Sequence, residues 1–89
     1  MRDKIIKYGA EWCQPCKVQS KIFDNLKNQY MDVEFIEIDI DTLNQDTLMD
    51  LNITSIPTLI FKVNGEIKFK HVGVLNEKDL INKINTIFN

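Results

Sequence analysis

Long apolar runs, an excess of basic residues and an export signal are all missing from this 89-residue chain. No apolar run reaches the length of a membrane-spanning helix, and the first residues lack the apolar segment of a secretory signal. A net charge of −2 argues against nucleic acid or an anionic membrane as the main partner. We therefore expect a cytoplasmic protein that binds neither nucleic acid nor membrane.

Cysteine is also scarce, with two residues, and the chain has no low-complexity stretch, long linker or internal repeat. Its length suits one domain, and a chain of this size buries roughly two thirds of the surface that its unfolded form exposes. The apolar fraction of 44% is ordinary for a globular protein, so a core can form without disulfide staples. Residues 1–89 are therefore predicted to form a single domain, which we expect to be a monomer.

The predicted elements follow the order β-α-β-α-β-β-α. The predicted strands are residues 4–8, 33–40, 58–63 and 67–72. Asn64-Gly65 is the typical two-residue turn of a hairpin, and helices are predicted after Pro15, at 46–51 and after Asn76, which caps the last helix. Strand–helix alternation favours parallel strands, and the hairpin adds an antiparallel edge. The chain is therefore predicted to be an α/β protein with a mixed four-stranded sheet flanked by helices.

Two of these helices have apolar faces at helical spacing. The face of the first comprises Val18, Ile22, Leu26 and Tyr30, with Phe23 beside them. The face of the last comprises Leu80, Ile81, Ile84, Ile87 and Phe88. We expect both faces to be buried against the sheet.

Residues 12–16 read Trp-Cys-Gln-Pro-Cys and contain both cysteines. They lie between a predicted strand and a helix start, where free N–H groups and the helix dipole favour a thiolate over a thiol. Two thiols at this spacing can form and break a disulfide. The alternatives are a structural disulfide and half of a zinc site, but zinc usually requires four ligands and only His71 adds one of the usual soft type. We therefore expect redox chemistry without a metal or other cofactor.

The cysteines belong to a longer pattern. The chain resembles thioredoxins in Ala10-Glu11-Trp12-Cys13, Pro15-Cys16-Lys17, Ile56-Pro57-Thr58, Asn64-Gly65-Glu66 and Val72-Gly73. The order and spacing of these segments fit the thioredoxin family over nearly the whole chain. The family's usual first strand and helix are absent, because the sequence begins almost directly on the strand that leads to the cysteines. The resemblance therefore implies a minimal thioredoxin-like fold.

The resemblance also implies an enzyme, a thiol–disulfide oxidoreductase that reduces protein disulfides. Cys13, nearer the helix end and more exposed, is implied as the nucleophile, and Cys16, one turn deeper, as the resolving thiol. The implied partners are disulfide-containing proteins and a thioredoxin reductase, or another dithiol, as electron donor.

A substrate-docking surface is implied beside the cysteines. The peptide bond between Ile56 and Pro57 is implied to be cis, although most X–Pro bonds are trans. Trp12, Ile56, Pro57, Val72 and Gly73 would frame a shallow apolar surface there. For Trp12 and Val72 the alternative is simple packing, and for Gly73 it is a strand end that needs unusual backbone angles.

Two charged residues depart from the family pattern. Lys7 stands where thioredoxins usually have a buried aspartate, and Glu37 stands where they have a lysine on the neighbouring strand. We expect both at the sheet centre, where a lone charge is costly, so a mutual ion pair is predicted. The alternative is that either side chain reaches solvent. If they pair, a charged Lys7 would stabilise the thiolates and affect the resolving step.

Gln14 and Lys21 are further departures. Gln14 stands where typical thioredoxins have glycine between the cysteines, and together with Pro15 it should influence the redox potential modestly. Lys21 stands where many relatives have a helix-kinking proline, so the first helix is expected to be straighter.

Two other functions stay open at this point. A glutaredoxin-like protein would use glutathione, although the motif differs from Cys-Pro-Tyr-Cys and no acidic pair follows Val72-Gly73. A thioredoxin-fold subunit would bind a larger enzyme independently of its cysteines. His71 is expected at the surface, and the acidic run of Glu37, Asp39 and Asp41 is expected to be solvated or to cap a helix rather than to bind a metal.

Overall fold

A computed structural model describes residues 3–88. The strands are β1 (Asp3–Gly9), β2 (Val33–Asp39), β3 (Thr58–Val63) and β4 (Glu66–Val72). The α-helices are α1 (Gln14–Leu26), α2 (Gln45–Asp50) and α3 (Glu77–Ile87). A short 3-10 helix, Ile40–Thr42, follows β2. Over the described residues, no helix is both long enough and apolar enough to cross a membrane.

The four strands form one mixed sheet in the order β2-β1-β3-β4. β1 is parallel to β2 and antiparallel to β3, and β3 and β4 form an antiparallel hairpin. The hairpin turn has positive φ at both central residues, 53° at Asn64 and 84° at Gly65, the conformation that Asn-Gly pairs favour. The predicted element order and the mixed sheet are therefore confirmed.

Helices cover both faces of the sheet, because successive residues of a strand point to opposite sides. On one side Ile5 packs with α1 and α3. That core consists of Ile5, Phe23, Leu26, Val33, Leu59, Phe61, Leu75, Leu80 and Ile84. On the other side Ile6, Tyr8 and Ile60 pack under the segment 43–53, which contains α2. Lys7 shares the α1 side with Ile5, and this places its side chain beneath the helix that bears the cysteines.

The predicted inner face of α1 is wrong at one position. Val18 is half exposed, whereas Gln19 is completely buried. The buried positions of the helix are Cys16, Gln19, Phe23 and Leu26. Their spacing of three and four residues is helical. The buried face is rotated by one residue from the apolar pattern, because the buried Gln19 side chain has hydrogen-bond partners in the interior.

The predicted element ends shift by a residue or two. The strand predicted to reach Ile40 ends at Asp39, because the Asp39 carboxylate accepts a hydrogen bond from the Asp41 N–H (2.9 Å) and caps the 3-10 helix. α2 starts at Gln45, after Asn44 caps it through the Thr47 N–H (2.8 Å).

Candidate active site

The two cysteines lie at the first turn of α1 and are joined by a disulfide with Cα atoms 5.3 Å apart. Cys13 is the N-cap residue, and its Sγ accepts a hydrogen bond from the Cys16 N–H at 3.2 Å. Gln14 and Pro15 are the first two helical residues, where the missing N–H of proline costs nothing. Cys13 is 7% exposed and Cys16 is 1% exposed. Of the two cysteines, Cys13 is therefore the more accessible from outside.

A proline turn packs against the cysteines. The Ile56–Pro57 peptide bond is cis, as the resemblance implies. Ile56 contacts the small cluster formed by Ala10, Cys13 and Cys16. The turn therefore forms one wall of the cysteine site.

Two of the predicted docking residues, Trp12 and Val72, have exposed side chains, whereas Pro57 is completely buried and Ile56 is half-buried. Trp12 is 67% exposed and Val72 is 54% exposed, so simple packing does not account for either. The Trp12 Nε1–H donates to Asp41 Oδ2 at 2.9 Å, which fixes the indole ring. Gly73 has φ +95°, and its N–H donates to the Pro57 carbonyl at 2.8 Å. Gly73 thus meets a backbone requirement and borders the proline turn as well.

A charged network lies behind the disulfide. The Lys7 ammonium is buried and donates to Glu37 Oε1 (2.5 Å), to the Cys16 carbonyl (3.2 Å) and to the Ser20 hydroxyl. Ser20 in turn donates to Glu37. Three elements, β1, β2 and α1, are therefore tied together by one lysine.

The expected position of Glu37 at the sheet centre is wrong. Among the described strands β2 is an edge, and the Glu37 side chain is 42% exposed. Lys7, on the interior strand β1, is the buried member of the ion pair. Partial burial raises the pKa of Glu37, but hydrogen bonds from Lys7 and Ser20 and the charges of Lys7 and Lys27 outweigh it. The pKa of this carboxyl therefore lies below its usual value.

A cleft of about 620 Å³ opens on this network from the side of β2. Its lining residues are Lys7, Gly9, Ala10, Glu11, Cys16, Lys17, Ser20, Glu37, Ile38 and Asp39. The absence of a side chain at Gly9 keeps part of the cleft open. A Cβ at this position would lie 3.0 Å from Cys16 Sγ and 3.3 Å from Lys7 Cε. Gly9 thus leaves room for both the lysine stem and the inner sulfur.

Comparison with known proteins identifies the family. The family model described as thioredoxin matches residues 1–86. The chain belongs to the thioredoxin family. Thioredoxin H3 from Arabidopsis thaliana is 35% identical over 78 residues, 88% of this chain but 65% of that protein, so the chain spans less than two thirds of this relative. Thioredoxin from Mycoplasma genitalium is 30% identical over 84 residues, 94% of this chain and 81% of that protein.

The fold agrees with a solved thioredoxin. The crystal structure of oxidised thioredoxin O2 from Arabidopsis thaliana has a TM-score of 0.84 and 28% identity, and covers 99% of this chain and 76% of that one. The mixed four-stranded sheet of this chain, with its flanking helices, thus has the thioredoxin fold.

Some residues of this thioredoxin domain could not be assigned from sequence, and others have minor roles. Gly9, Ser20 and Gln19 were not predicted from the sequence motifs. The only signal for Ser20 was its position four residues after Cys16, on the same helix face. His71 is half-buried rather than fully at the surface, with its ring stacked on Phe69.

The acidic run separates into individual roles. Asp39 caps the 3-10 helix, Asp41 accepts from Trp12 and Glu37 pairs with Lys7. Across residues 3–88 no group of three or more His, Cys, Asp or Glu residues could hold a metal ion.

Proposed function

We propose that this protein is a thiol–disulfide oxidoreductase that reduces disulfide bonds in other proteins. The observation that carries the proposal is the Cys13–Cys16 disulfide at the start of α1, packed against the cis Ile56–Pro57 turn. The Cys16 N–H that points at the Cys13 sulfur supports a thiolate at Cys13, since a hydrogen bond to the charged form favours that form. The cysteine pair is thus suited to exchange rather than to a structural role.

The exchange takes two steps. The Cys13 thiolate attacks one sulfur of a substrate disulfide, forms a mixed disulfide and releases the first substrate thiolate. The Cys16 thiolate then attacks the Cys13 sulfur, forms the intramolecular disulfide and releases the second substrate thiolate. Two electrons pass to the substrate, and the released thiolates take up protons from water. The disulfide is then reduced again by an external dithiol.

The exposed apolar side chains of Trp12 and Val72 give the substrate its docking surface in this proposal, with Ile56, Pro57 and Gly73 beneath it. We propose thioredoxin reductase as the electron donor, and the cytoplasm, where thiols are kept reduced, as the site of action of a monomeric protein. Thioredoxin-family membership supports these partners.

The proposal is tested by reduction of a model protein disulfide, such as insulin, at equal concentrations of two electron donors. We expect turnover with NADPH and a thioredoxin reductase to exceed turnover with glutathione and glutathione reductase. The double variant Cys13→Ser, Cys16→Ser is expected to be inactive. Faster turnover with glutathione would indicate a glutaredoxin-like protein, and a biological activity that survives in the double variant would indicate a binding subunit.

We further propose that Lys7 assists the resolving step. Lys7 donates to the Cys16 carbonyl. Both the Lys7 Cε and the Cys16 Sγ lie within 3.3 Å of the position that a Cβ at residue 9 would occupy. A positive charge that contacts the backbone of Cys16 favours a thiolate on the same residue. The partner carboxylate of Glu37 also lines the cleft, and its side chain is more exposed than that of Lys7. The buried charge that contacts Cys16 is therefore the ammonium of Lys7.

The variant Lys7→Ala is expected to slow resolution of the mixed disulfide roughly tenfold, the effect of one pKa unit on a thiolate population. Its formation by Cys13 should change less. Rapid-quench analysis of both steps measures this, with Lys21→Ala, an exposed lysine of α1, as the matched control. Equal effects on the two steps, or none, would contradict the role of Lys7.

A further inference from the structure

Gln19 is a buried amide in an otherwise apolar helix face, one turn beyond Cys16. It is completely buried, and its neighbours on the inner face of α1 are Cys16 and Phe23. Burying an amide is costly unless its groups find partners. At this position its partners lie in another part of the chain.

Both polar groups of the amide bond to the backbone of Leu75. The Leu75 N–H donates to Gln19 Oε1 at 2.8 Å, and the Gln19 Nε2–H donates to the Leu75 carbonyl at 3.1 Å. Leu75 lies between the end of β4 and Asn76, the N-cap of α3, so no strand or helix provides these bonds. The amide of Gln19 thus provides the backbone of Leu75 with the acceptor and the donor that a neighbouring strand would otherwise provide.

The same segment is fixed from its other end. The Gly73 N–H donates to the Pro57 carbonyl at 2.8 Å, and Gly73 takes φ +95°. Between and beside these two attachments the side chains of Val72 and Val74 are 54% and 37% exposed. The segment Val72–Leu75 is therefore held to the proline turn at Gly73 and to the cysteine helix at Leu75, with two apolar side chains free to meet a substrate.

We propose that Gln19 is a positioning residue for substrate docking: it holds the segment Val72–Leu75 in register with the helix that bears Cys13 and Cys16. This inference rests on the proposed function. Gln19 does not touch the substrate. Its effect is to keep the docking segment ordered before the substrate arrives, so that binding does not have to order it. A protein substrate, which lies across the segment, depends on this order; a small disulfide, which needs only the sulfur of Cys13, does not.

The test compares Gln19→Met with the matched control Gln29→Met, because Gln29 is exposed and its amide donates to the nearby Asn25 carbonyl at the end of α1. For Gln19→Met we expect kcat/KM with insulin to fall about tenfold, mainly through a higher KM, since Leu75 loses both partners. The rate with a small aromatic disulfide should change by less than about twofold, as should both rates for Gln29→Met. Equal losses with both substrates, or no loss with insulin, would overturn the proposal.

A measurement on the unaltered protein keeps the proposal falsifiable if Gln19→Met folds poorly. Because the Leu75 N–H donates to a buried acceptor, its amide hydrogen should exchange as slowly as the amides of β3. Exchange as fast as in the exposed turn at 27–29 would overturn the proposal. If the unaltered protein does not reduce insulin with any donor, the proposed function fails, while the exchange result still decides whether Gln19 holds the segment.

Discussion

The space beside the inner sulfur depends on a single residue, Gly9, which has no side chain. A Cβ at this position would lie 3.0 Å from Cys16 Sγ and 3.1 Å from Cys16 Cβ, closer than real Cβ atoms normally come to a neighbour. Gly73 differs, because nothing lies within 4 Å of its added Cβ and its requirement is the positive φ. One glycine of the site is thus required for space and the other for backbone conformation.

The variant Gly9→Ala is expected to destabilise the oxidised protein by about 1–3 kcal/mol, because the added methyl group has to displace Cys16 or the Lys7 stem. Urea unfolding of the oxidised protein measures the loss. Gly73→Ala serves as the comparison, with an expected cost of about 1 kcal/mol from the left-handed backbone alone. An unchanged free energy of unfolding for Gly9→Ala would show that the cleft is looser than described.

The pH dependence of stability reports on Glu37. The folded-state pKa of its carboxyl is below the usual value of 4.5, so the carboxylate contributes stability that is present above about pH 4.5 and is lost as pH falls through the folded pKa. The variant Glu37→Gln is therefore expected to lose less stability than the unaltered protein when both are acidified below pH 4.5. Thermal unfolding at a series of pH values measures the difference. Parallel curves for the two proteins would contradict the pairing with Lys7.

Residues with a fixed motif could be predicted, whereas residues defined by their surroundings could not. Cys13, Cys16 and the cis bond at Pro57 follow from the motif and its family geometry. The role of Ser20 could not be predicted, because it depends on hydrogen bonds with Lys7 and Glu37, which are far from Ser20 in sequence. The ion pair was predicted from the two departures, but not the exposure of Glu37, since that depends on which strand lies at the edge.

At the scale of elements, α1 contributes residues both to the cysteine site and to the core. Its first turn holds the disulfide, its second turn holds Gln19 and Ser20, and its later turns bury Phe23 and Leu26 in the core. Apolar periodicity alone placed Val18 inside, because a pattern of hydrophobicity does not detect a polar side chain that satisfies a distant backbone segment. Strands and hairpin were more predictable, since alternation and the Asn-Gly turn are local signals.

The start of α3 gives an element-scale prediction. Asn76 accepts a hydrogen bond from the Asp79 N–H at 2.9 Å and so satisfies one free donor of the helix end. Asn76→Ala should therefore lower the free energy of unfolding by about 1 kcal/mol. Asn85→Ala, an exposed site inside the same helix, should leave it unchanged or raise it, because alanine is the better helix former. Equal losses at the two sites, measured by urea unfolding, would contradict the capping role.

For the molecule as a whole, the core and the disulfide are separate sources of stability. Neither cysteine belongs to the large core on the α1 side of the sheet or to the smaller one under 43–53. Both cysteines lie in a third, small cluster with Ala10. The fold should therefore persist when the disulfide opens, as the proposed exchange mechanism requires.

The double variant Cys13→Ser, Cys16→Ser is accordingly expected to stay folded. Its free energy of unfolding should be lower than that of the oxidised protein by about 2 kcal/mol, the contribution of a disulfide that closes a short loop. Far-UV circular dichroism and urea unfolding measure both properties. Loss of the folded state would show that the disulfide is a structural staple, which the exchange mechanism does not allow.

The proposed mechanism depends most on the division of roles between Cys13 and Cys16, and one trapping experiment tests this division directly. Each single variant, Cys13→Ser and Cys16→Ser, is mixed in reduced form with a protein disulfide substrate, and covalent complexes are identified by mass spectrometry without reductant. We predict that Cys16→Ser accumulates a mixed disulfide through Cys13, because the more accessible of the two cysteines attacks and nothing resolves the product, while Cys13→Ser accumulates none. A complex through Cys16, or equal trapping by both variants, would contradict the proposed mechanism.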